Sequence, residues 1–143
     1  MASLKDVMTY ICANQPVQSP ISDMRLAMLV ALADYWAEND QQAPITAVTW
    51  QCGDDGRLQI GEVTELAKGD EAFIVKRSTG FLLRPWEAHL MIRLAPNTPS
   101  GAEHLGAAEK HLLDIVMARA ADMSTAELQR LTQKMRSFPA VTQ

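Results

Sequence analysis

The stretch VTWQCGDDGRL, residues 48–58, gathers residue types that often do chemistry: a cysteine, two aspartates and two glycines beside a tryptophan. A catalytic Cys52 would need a base that a third group orients, yet His89, His104 and His111 lie in no recognisable setting for that role. The G-x-S-x-G signature of a serine nucleophile is also absent from the sequence. Covalent catalysis is therefore not indicated.

The same stretch does not fit a bound ion or nucleotide. A calcium loop needs oxygen ligands at alternate positions, and GDDGRLQ does not supply them. A phosphate loop needs G-x-x-x-x-G-K-[ST], whereas GDDGRLQIG puts two carboxylates where phosphates would lie. We therefore predict that the protein has no cofactor and is not an enzyme, and we interpret residues 48–58 as a turn between a strand and a helix.

A second group of candidate ligands lies in EHLGAAEKHLLD, which contains Glu103, His104, His111 and Asp114. A zincin motif sets its two histidines four residues apart, so that both reach one ion from one helix face. His104 and His111 are seven positions apart in the sequence, which corresponds to roughly 10 Å along a helix. The spacing favours a solvated polar helix face, and we predict no metal site.

Composition and charge limit the classes of partner. The chain has 143 residues, 48% hydrophobic and 21% charged, which is typical of one folded domain, here residues 1–143. Its net charge is −4 and it has no block of lysine or arginine, so we predict no binding to nucleic acid. The longest apolar run, residues 26–33, is shorter than the about 18 residues of a membrane span, so we predict no membrane partner.

The N-terminus and the cysteines indicate a compartment. MASLKDVMTYICANQP lacks the order of basic region, apolar core and cleavage site that a signal peptide shows. Cys12 and Cys52 do not amount to a disulfide framework, so we expect both to be reduced. These patterns predict a cytoplasmic protein.

The elements that must position these residues are mostly helical. Ser3 is placed to cap a first helix that carries an apolar stripe. A second helix should start after Ser22 and run to about Asn39, apolar on nearly every side between residues 26 and 33. Such a helix is central, and we expect Leu29 and Leu32 to be fully buried.

Three more helices are predicted at LQIGEVTELAKG, GAAEKHLLDIVMARA and STAELQRLTQKM. The last two are expected to pack as a helical hairpin. The expected apolar stripes are Ile60, Val63, Leu66 and Ala67 in the first of the three, and Ala108, Leu112, Ile115 and Val116 in the second. The third begins with a capping box of Ser124 and Glu127.

Short alternating segments predict strands. The residues Ile45–Trp50 are β-branched and alternating, and FIVKRSTGFLLR has the pattern of a hairpin of Phe73–Arg77 and Phe81–Arg84. AHLMIRL adds a further strand to that hairpin. The predicted fold class is α+β and mostly helical, with about five helices and a small antiparallel three-stranded sheet.

The three tryptophans, Trp36, Trp50 and Trp86, are more informative than any titratable group. Core packing with a hydrogen-bonded indole N–H is the favoured interpretation, and contact with a partner is the alternative.

Two parts of the chain resemble the Panacea antitoxin domain family, also called SocA-like. In RLAMLVALADYWAEND and the following APIT, the residues Met28, Leu29, Leu32, Ala33 and Asp34 match a buried helix of the form K-L-L-Y-x-A-D, and Pro44–Thr46 match its P-I-T element. The tail LGAAEKHLLDIVMARAADMSTAELQRLTQKMRSFPA is similar to the family's closing helices. The resemblance covers about residues 24–140.

This resemblance implies a protein-binding function. Members of the family bind a toxin protein and do not turn over a substrate, and some also hand the toxin to a protease as adaptors. The expected partner is therefore a cognate toxin, with self-association left open. The alternative is a phage or mobile-element accessory protein that uses the same fold to bind a host factor or to assemble with itself.

Part of the partner surface is predicted on the loop after the second helix. Glycine-bearing polar loops on a rigid scaffold often carry binding function. The candidate partner-binding residues are Trp50, Asp54, Asp55, Arg57 and Glu62, which offer both signs of charge beside an aromatic ring. An ordinary solvated turn is the alternative interpretation.

Overall fold

The structure is a computed structural model that describes residues 2–15, 20–41, 43–53, 57–77 and 90–134. Within these residues the chain forms five α-helices, one short 3-10 helix and one antiparallel sheet of three strands. The α+β, mostly helical class predicted from the sequence is confirmed. The elements in chain order are α1 (Leu4–Ala13), β1 (Ile21–Ser22), α2 (Asp23–Gln41), α3 (Gly61–Gly69), β2 (Phe73–Arg77), β3 (Leu90–Leu94), the 3-10 helix (Ala102–His104), α4 (Ala107–Ala120) and α5 (Thr125–Lys134).

Helix α2 is the centre of the fold. Every residue from Leu26 to Ala33 is buried, and Leu29 and Leu32 are each 2% exposed, as predicted from the unbroken apolar run. The other four α-helices and strands β1 and β3 all pack against α2. The helix begins at Asp23, directly after Ser22, whose Oγ accepts a hydrogen bond from the backbone N–H of Arg25 at 3.1 Å.

Helix α1 begins where its cap predicts. The Oγ of Ser3 accepts a hydrogen bond from the N–H of Asp6 at 3.1 Å. The loop before the 3-10 helix crosses α1 closely at Gly101, which has a φ of 76°. A Cβ at this position would fall on the hydroxyl of Thr9, so only glycine suits both the backbone angle and the contact.

The strand order in the sheet is β1-β3-β2, with both pairings antiparallel. Ile92 of β3 lies opposite Ile21 on one side and Val75 on the other, on the face that packs against the helices. The prediction of Phe73–Arg77 as a strand is confirmed. Its proposed hairpin partner, Phe81–Arg84, lies outside the described residues. In the described part of the chain, β2 pairs with β3, which is the strand predicted in AHLMIRL.

The predicted strand at Ile45–Trp50 is wrong, because these residues form no strand ladder. Ile45 and Thr46 are both buried, and from Thr46 onward burial alternates, with Trp50 buried and Ala47 and Thr49 exposed. The buried side faces helix α2 rather than a neighbouring strand, since the N–H of Thr46 donates to the side chain of Asp34 in that helix. One-sided burial produced the strand-like pattern without a strand partner.

Helices α4 and α5 each pack mainly on α2, and not on each other as a helical hairpin. The predicted capping box at the start of α5 is confirmed, because Ser124 and Glu127 exchange two hydrogen bonds of 3.1 Å. In the predicted stripe of α4, Val116 is buried and Leu112 packs against the core from a half-buried position. The buried residues are Leu113, Val116 and Ala120, whereas Ala108 is exposed and Leu112 and Ile115 are half-buried. Neighbouring apolar residues in this helix allow two overlapping stripes, and the sequence does not choose between them.

Candidate functional site: a loop clamped to the central helix

The segment after α2 is held by one buried carboxylate. Asp34 accepts three hydrogen bonds, from the N–H of Thr46 at 2.8 Å, from the hydroxyl of Thr46 at 2.5 Å and from the indole N–H of Trp50 at 2.8 Å. All three residues are buried, at 3%, 0% and 7% exposure respectively. We call Asp34, Thr46 and Trp50 the Asp34 cluster. It fixes the start of the loop to helix α2, in which residues 26–34 are all buried.

The carboxylate of Asp34 is stabilised by hydrogen-bond donors and not by a neighbouring cation. Burial raises the pKa of Asp34 above the ordinary value of an aspartate, and the hydrogen bonds from Thr46 and Trp50, together with the backbone N–H of Ile45, partly oppose that rise. No lysine or arginine of the described residues forms an ion pair with this carboxylate. Because a buried charge without partners is costly, the three donors are what keep Asp34 compatible with the core.

The loop then turns back on itself. Cys52 and Leu58 form an isolated antiparallel bridge, the N–H of Gly53 donates to the carbonyl of Arg57 at 2.8 Å, and the N–H of Gln59 donates to the carbonyl of Gln51 at 2.8 Å. The two arms that flank the predicted GDDG turn thus pair with each other before α3, while residues 54–56 lie outside the described residues. We call the described residues 43–53 and 57–59 the clamped loop. Asp54 and Asp55, two of the predicted partner-binding residues, lie outside the described residues.

The other three predicted partner-binding residues are separated by the fold. Arg57 is exposed on the second arm of the clamped loop, and Glu62 is exposed in the first turn of α3. Trp50 is buried, and its indole N–H donates to Asp34, so it fixes the first arm of the loop to helix α2. Core packing with a bonded indole is therefore the correct interpretation for Trp50. Trp36 is half-buried with the guanidinium of Arg119 5.4 Å from its ring centre, and Trp86 lies outside the described residues.

Cys12 and Cys52 are both buried and are not joined by a disulfide. Burial raises the pKa of Cys12 to about 12, so this side chain is a neutral thiol at neutral pH. Nucleophilic chemistry requires the thiolate, and Cys12 is therefore not poised for it.

The candidate metal ligands are spread over two elements. His104 is exposed in the 3-10 helix, 3.6 Å from a carboxylate oxygen of Glu103, and His111 is exposed on α4. Asp114 accepts a hydrogen bond of 2.7 Å from the hydroxyl of Tyr10, whose pKa is raised to about 12 by burial and by that carboxylate. Among the described residues, no three His, Cys, Asp or Glu side chains come together as a metal site.

The sequence contained a signal for Asp34 that chemical motifs did not pick up. Asp34 is the one charged residue in LAMLVALADYWA, residues 26–37, where every other side chain is apolar or aromatic. A lone carboxylate in a buried helix requires hydrogen-bond donors from elsewhere in the fold. Their identity, Thr46 and Trp50, follows only from the path of the loop.

In the part of the chain that the structure describes, no helix has both the length and the apolar character needed to cross a bilayer. The resemblance to the Panacea family stays a prediction, because no protein-family model, no curated protein and no solved structure matches the chain.

Proposed function

We propose that the protein is an antitoxin-like binding module that acts in the cytoplasm and neutralises a partner toxin by direct contact. One observation carries the proposal. Two neighbouring pieces of the first part that resembles the family, Ala33–Asp34 and Pro44–Thr46, are joined in the structure by the hydrogen bonds between Asp34 and Thr46. This contact supports the proposal because it links the buried helix to the P-I-T element on which the resemblance depends.

The clamped loop has the physical properties of a binding surface. Its inner side is fixed by the buried Asp34 cluster, and its outer side exposes Thr49, Gln51 and Arg57. Rigid presentation lowers the entropy cost of association, because the loop does not have to be ordered when the partner arrives. Exposed polar groups on such a scaffold give specificity.

Growth rescue tests the function. The protein is expressed together with the product of the neighbouring open reading frame, and growth is compared with expression of that product alone. An antitoxin restores growth. If the neighbouring product is not toxic, or if its toxicity is unchanged, the proposal fails for that partner.

The amount of toxin separates direct blocking from a proteolytic adaptor role. Blocking leaves the toxin level unchanged in an immunoblot while growth recovers. An adaptor lowers the toxin level, and this fall disappears in a host that lacks the relevant protease.

Charge reversal locates the surface. We expect Arg57→Glu combined with Glu62→Arg to weaken complex formation by about 2 kcal/mol or more, as loss of an interface hot spot does, and circular dichroism checks that the variant keeps the fold. The matched control is Asp122→Lys combined with Lys134→Glu, which changes exposed charges in the α4–α5 region. If the first variant binds with wild-type affinity, the partner surface does not lie on the clamped loop. The growth assay would still test the proposed function independently.

A further inference from the structure

The three-stranded sheet has an outer face, on the side opposite the helices, that carries both cationic and apolar side chains. The helices pack on the side of Ile21, Val75 and Ile92, and strand alternation places Ile74, Lys76, Met91 and Arg93 on the opposite side. Together with Pro20 these four residues line a concavity of about 340 Å³. We call these five residues the outer sheet face.

The register sets apolar and cationic side chains in a checkerboard. Ile74 lies opposite Arg93, and Lys76 lies opposite Met91. The two cations are therefore diagonal neighbours on adjacent strands, about 7–8 Å apart at their Cα atoms. Ile74 and Met91, both half-buried, occupy the other diagonal.

The cations of this face are available to a partner. Lys76 and Arg93 are exposed, and neither forms an ion pair with a carboxylate of the described residues. The surrounding sequence is basic in an acidic protein. Residues 73–94 contain four of the 13 basic residues and one of the 17 acidic residues, a net charge of +3 in a chain of net charge −4.

We propose that the outer sheet face binds an extended, acidic segment of a protein partner, with carboxylates at alternate positions. Alternate side chains of an extended strand lie about 7 Å apart on one side, which matches the diagonal between Lys76 and Arg93. Ile74 and Met91 provide the apolar contact between the two charge pairs. The inference rests on the proposed protein-binding function, but it concerns a different surface from the clamped loop.

Fluorescence anisotropy with the full chain tests this surface. The probe is a labelled synthetic peptide with glutamate at every second position and valine between. We expect saturable binding with a Kd below about 1 mM at low salt, weakened as sodium chloride screens the charges. A peptide of the same composition with its glutamates in one block should bind several-fold more weakly, because its carboxylates do not match the diagonal.

Variants assign the binding to the two cations. Lys76→Gln combined with Arg93→Gln should weaken the alternating peptide about tenfold or more. Lys68→Gln combined with Lys134→Gln removes the same charge from exposed positions elsewhere and should leave the affinity unchanged. Circular dichroism shows that each variant keeps the fold.

Three results would overturn the inference. They are equal binding of the blocked and alternating peptides, equal binding by the two double variants, and tighter binding of a single-stranded DNA of equal charge, which would indicate attraction to phosphates. Growth rescue that persists while peptide binding fails would reject this surface and leave the proposed function intact.

Discussion

Helix α2 is tied to its surroundings by two polar side chains of opposite kind. Arg25 donates from Nη1 to the carbonyl of Met123 at 2.9 Å and from Nη2 to the carbonyl of Ala120 at 2.5 Å. Asp34, further along the same helix, accepts its three hydrogen bonds from the loop that follows. The first anchor holds the junction of α4 and α5, and the second holds the clamped loop.

The two anchors differ in what they require. Arg25 is half-buried in α2, and its guanidinium reaches the C-terminal end of α4. The last carbonyls of a helix and the helix dipole favour a cation at that end, and a guanidinium always supplies one. Asp34 is 3% exposed and has no such unconditional charge. Loss of one anchor lets water reach the freed carbonyls, whereas loss of the other leaves buried donors without partners. The buried anchor should therefore dominate stability.

The largest effect is expected for Asp34→Ala. The change leaves two donors of Thr46 and the indole N–H of Trp50 without acceptors in the core, and each such loss costs about 1–3 kcal/mol. We expect a loss of about 3–5 kcal/mol in the free energy of unfolding, measured by urea denaturation.

Asp40→Ala is the matched control, because it removes an exposed aspartate from the last turns of the same helix. It should change stability by less than about 0.5 kcal/mol. Similar values for the two variants would show that the Asp34 cluster does not differ from the surface.

Leu32→Ala measures how much a buried apolar side chain of the same helix contributes to the free energy of unfolding. Leu32 is 2% exposed, and truncation of a buried leucine costs about 2–5 kcal/mol. We expect a value in this range by urea denaturation, close to that of Asp34→Ala. A loss below about 0.5 kcal/mol would contradict the central position of α2.

Loss of the Arg25 hydrogen bonds should lower the free energy of unfolding less than loss of Asp34 does. Arg25→Lys tests this effect. Lysine keeps the charge but cannot donate to two carbonyls with a planar fork. We expect a loss of about 1–2 kcal/mol, because the hydrogen bonds of Arg25 to Ala120 and Met123 are only partly buried, whereas those of Asp34 are buried. A loss as large as that of Asp34→Ala would mean that exposure does not distinguish the two anchors.

The parts of the fold that sequence predicts are those fixed by local chemistry. The caps at Ser3 and at Ser124 with Glu127 define helix starts within a few residues, and the apolar run of α2 identifies a central helix without knowledge of its neighbours. Strand β1, with two residues, is too short to show a periodicity. Its partner β3 lies about 70 residues further along the chain, and a local sequence pattern does not predict such a distant pairing.

The candidate site shows the same division. Its exposed charges, Arg57 and Glu62, can be identified from the sequence, because polar loops after buried elements are common binding surfaces. The buried anchor of the loop cannot, because the alternating sequence at residues 45–50 is equally typical of a strand and of an extended segment packed on a helix. The hydrogen bond from Thr46 to Asp34 shows that the segment packs on a helix and not in a sheet. Nothing in the sequence pairs these two residues, so this contact could not be predicted.

The smallest expected effect is a difference in pH dependence between Asp34 and Asp70. The pKa of Asp34 is raised by burial, so its contribution to stability is full below the ordinary aspartate pKa and is lost as the pH rises through the raised value. The pKa of Asp70 is lowered by the N–H of Ala72 and by Lys5, so its contribution is full above the ordinary pKa and is lost as the pH falls.

Non-titrating variants separate these opposite slopes. Urea denaturation of the wild type, Asp34→Asn and Asp70→Asn is compared between about pH 3 and about pH 8. The stability advantage of the wild type over Asp34→Asn should shrink as the pH rises, and its advantage over Asp70→Asn should grow. If both advantages grow with pH, the three donors outweigh the desolvation of Asp34.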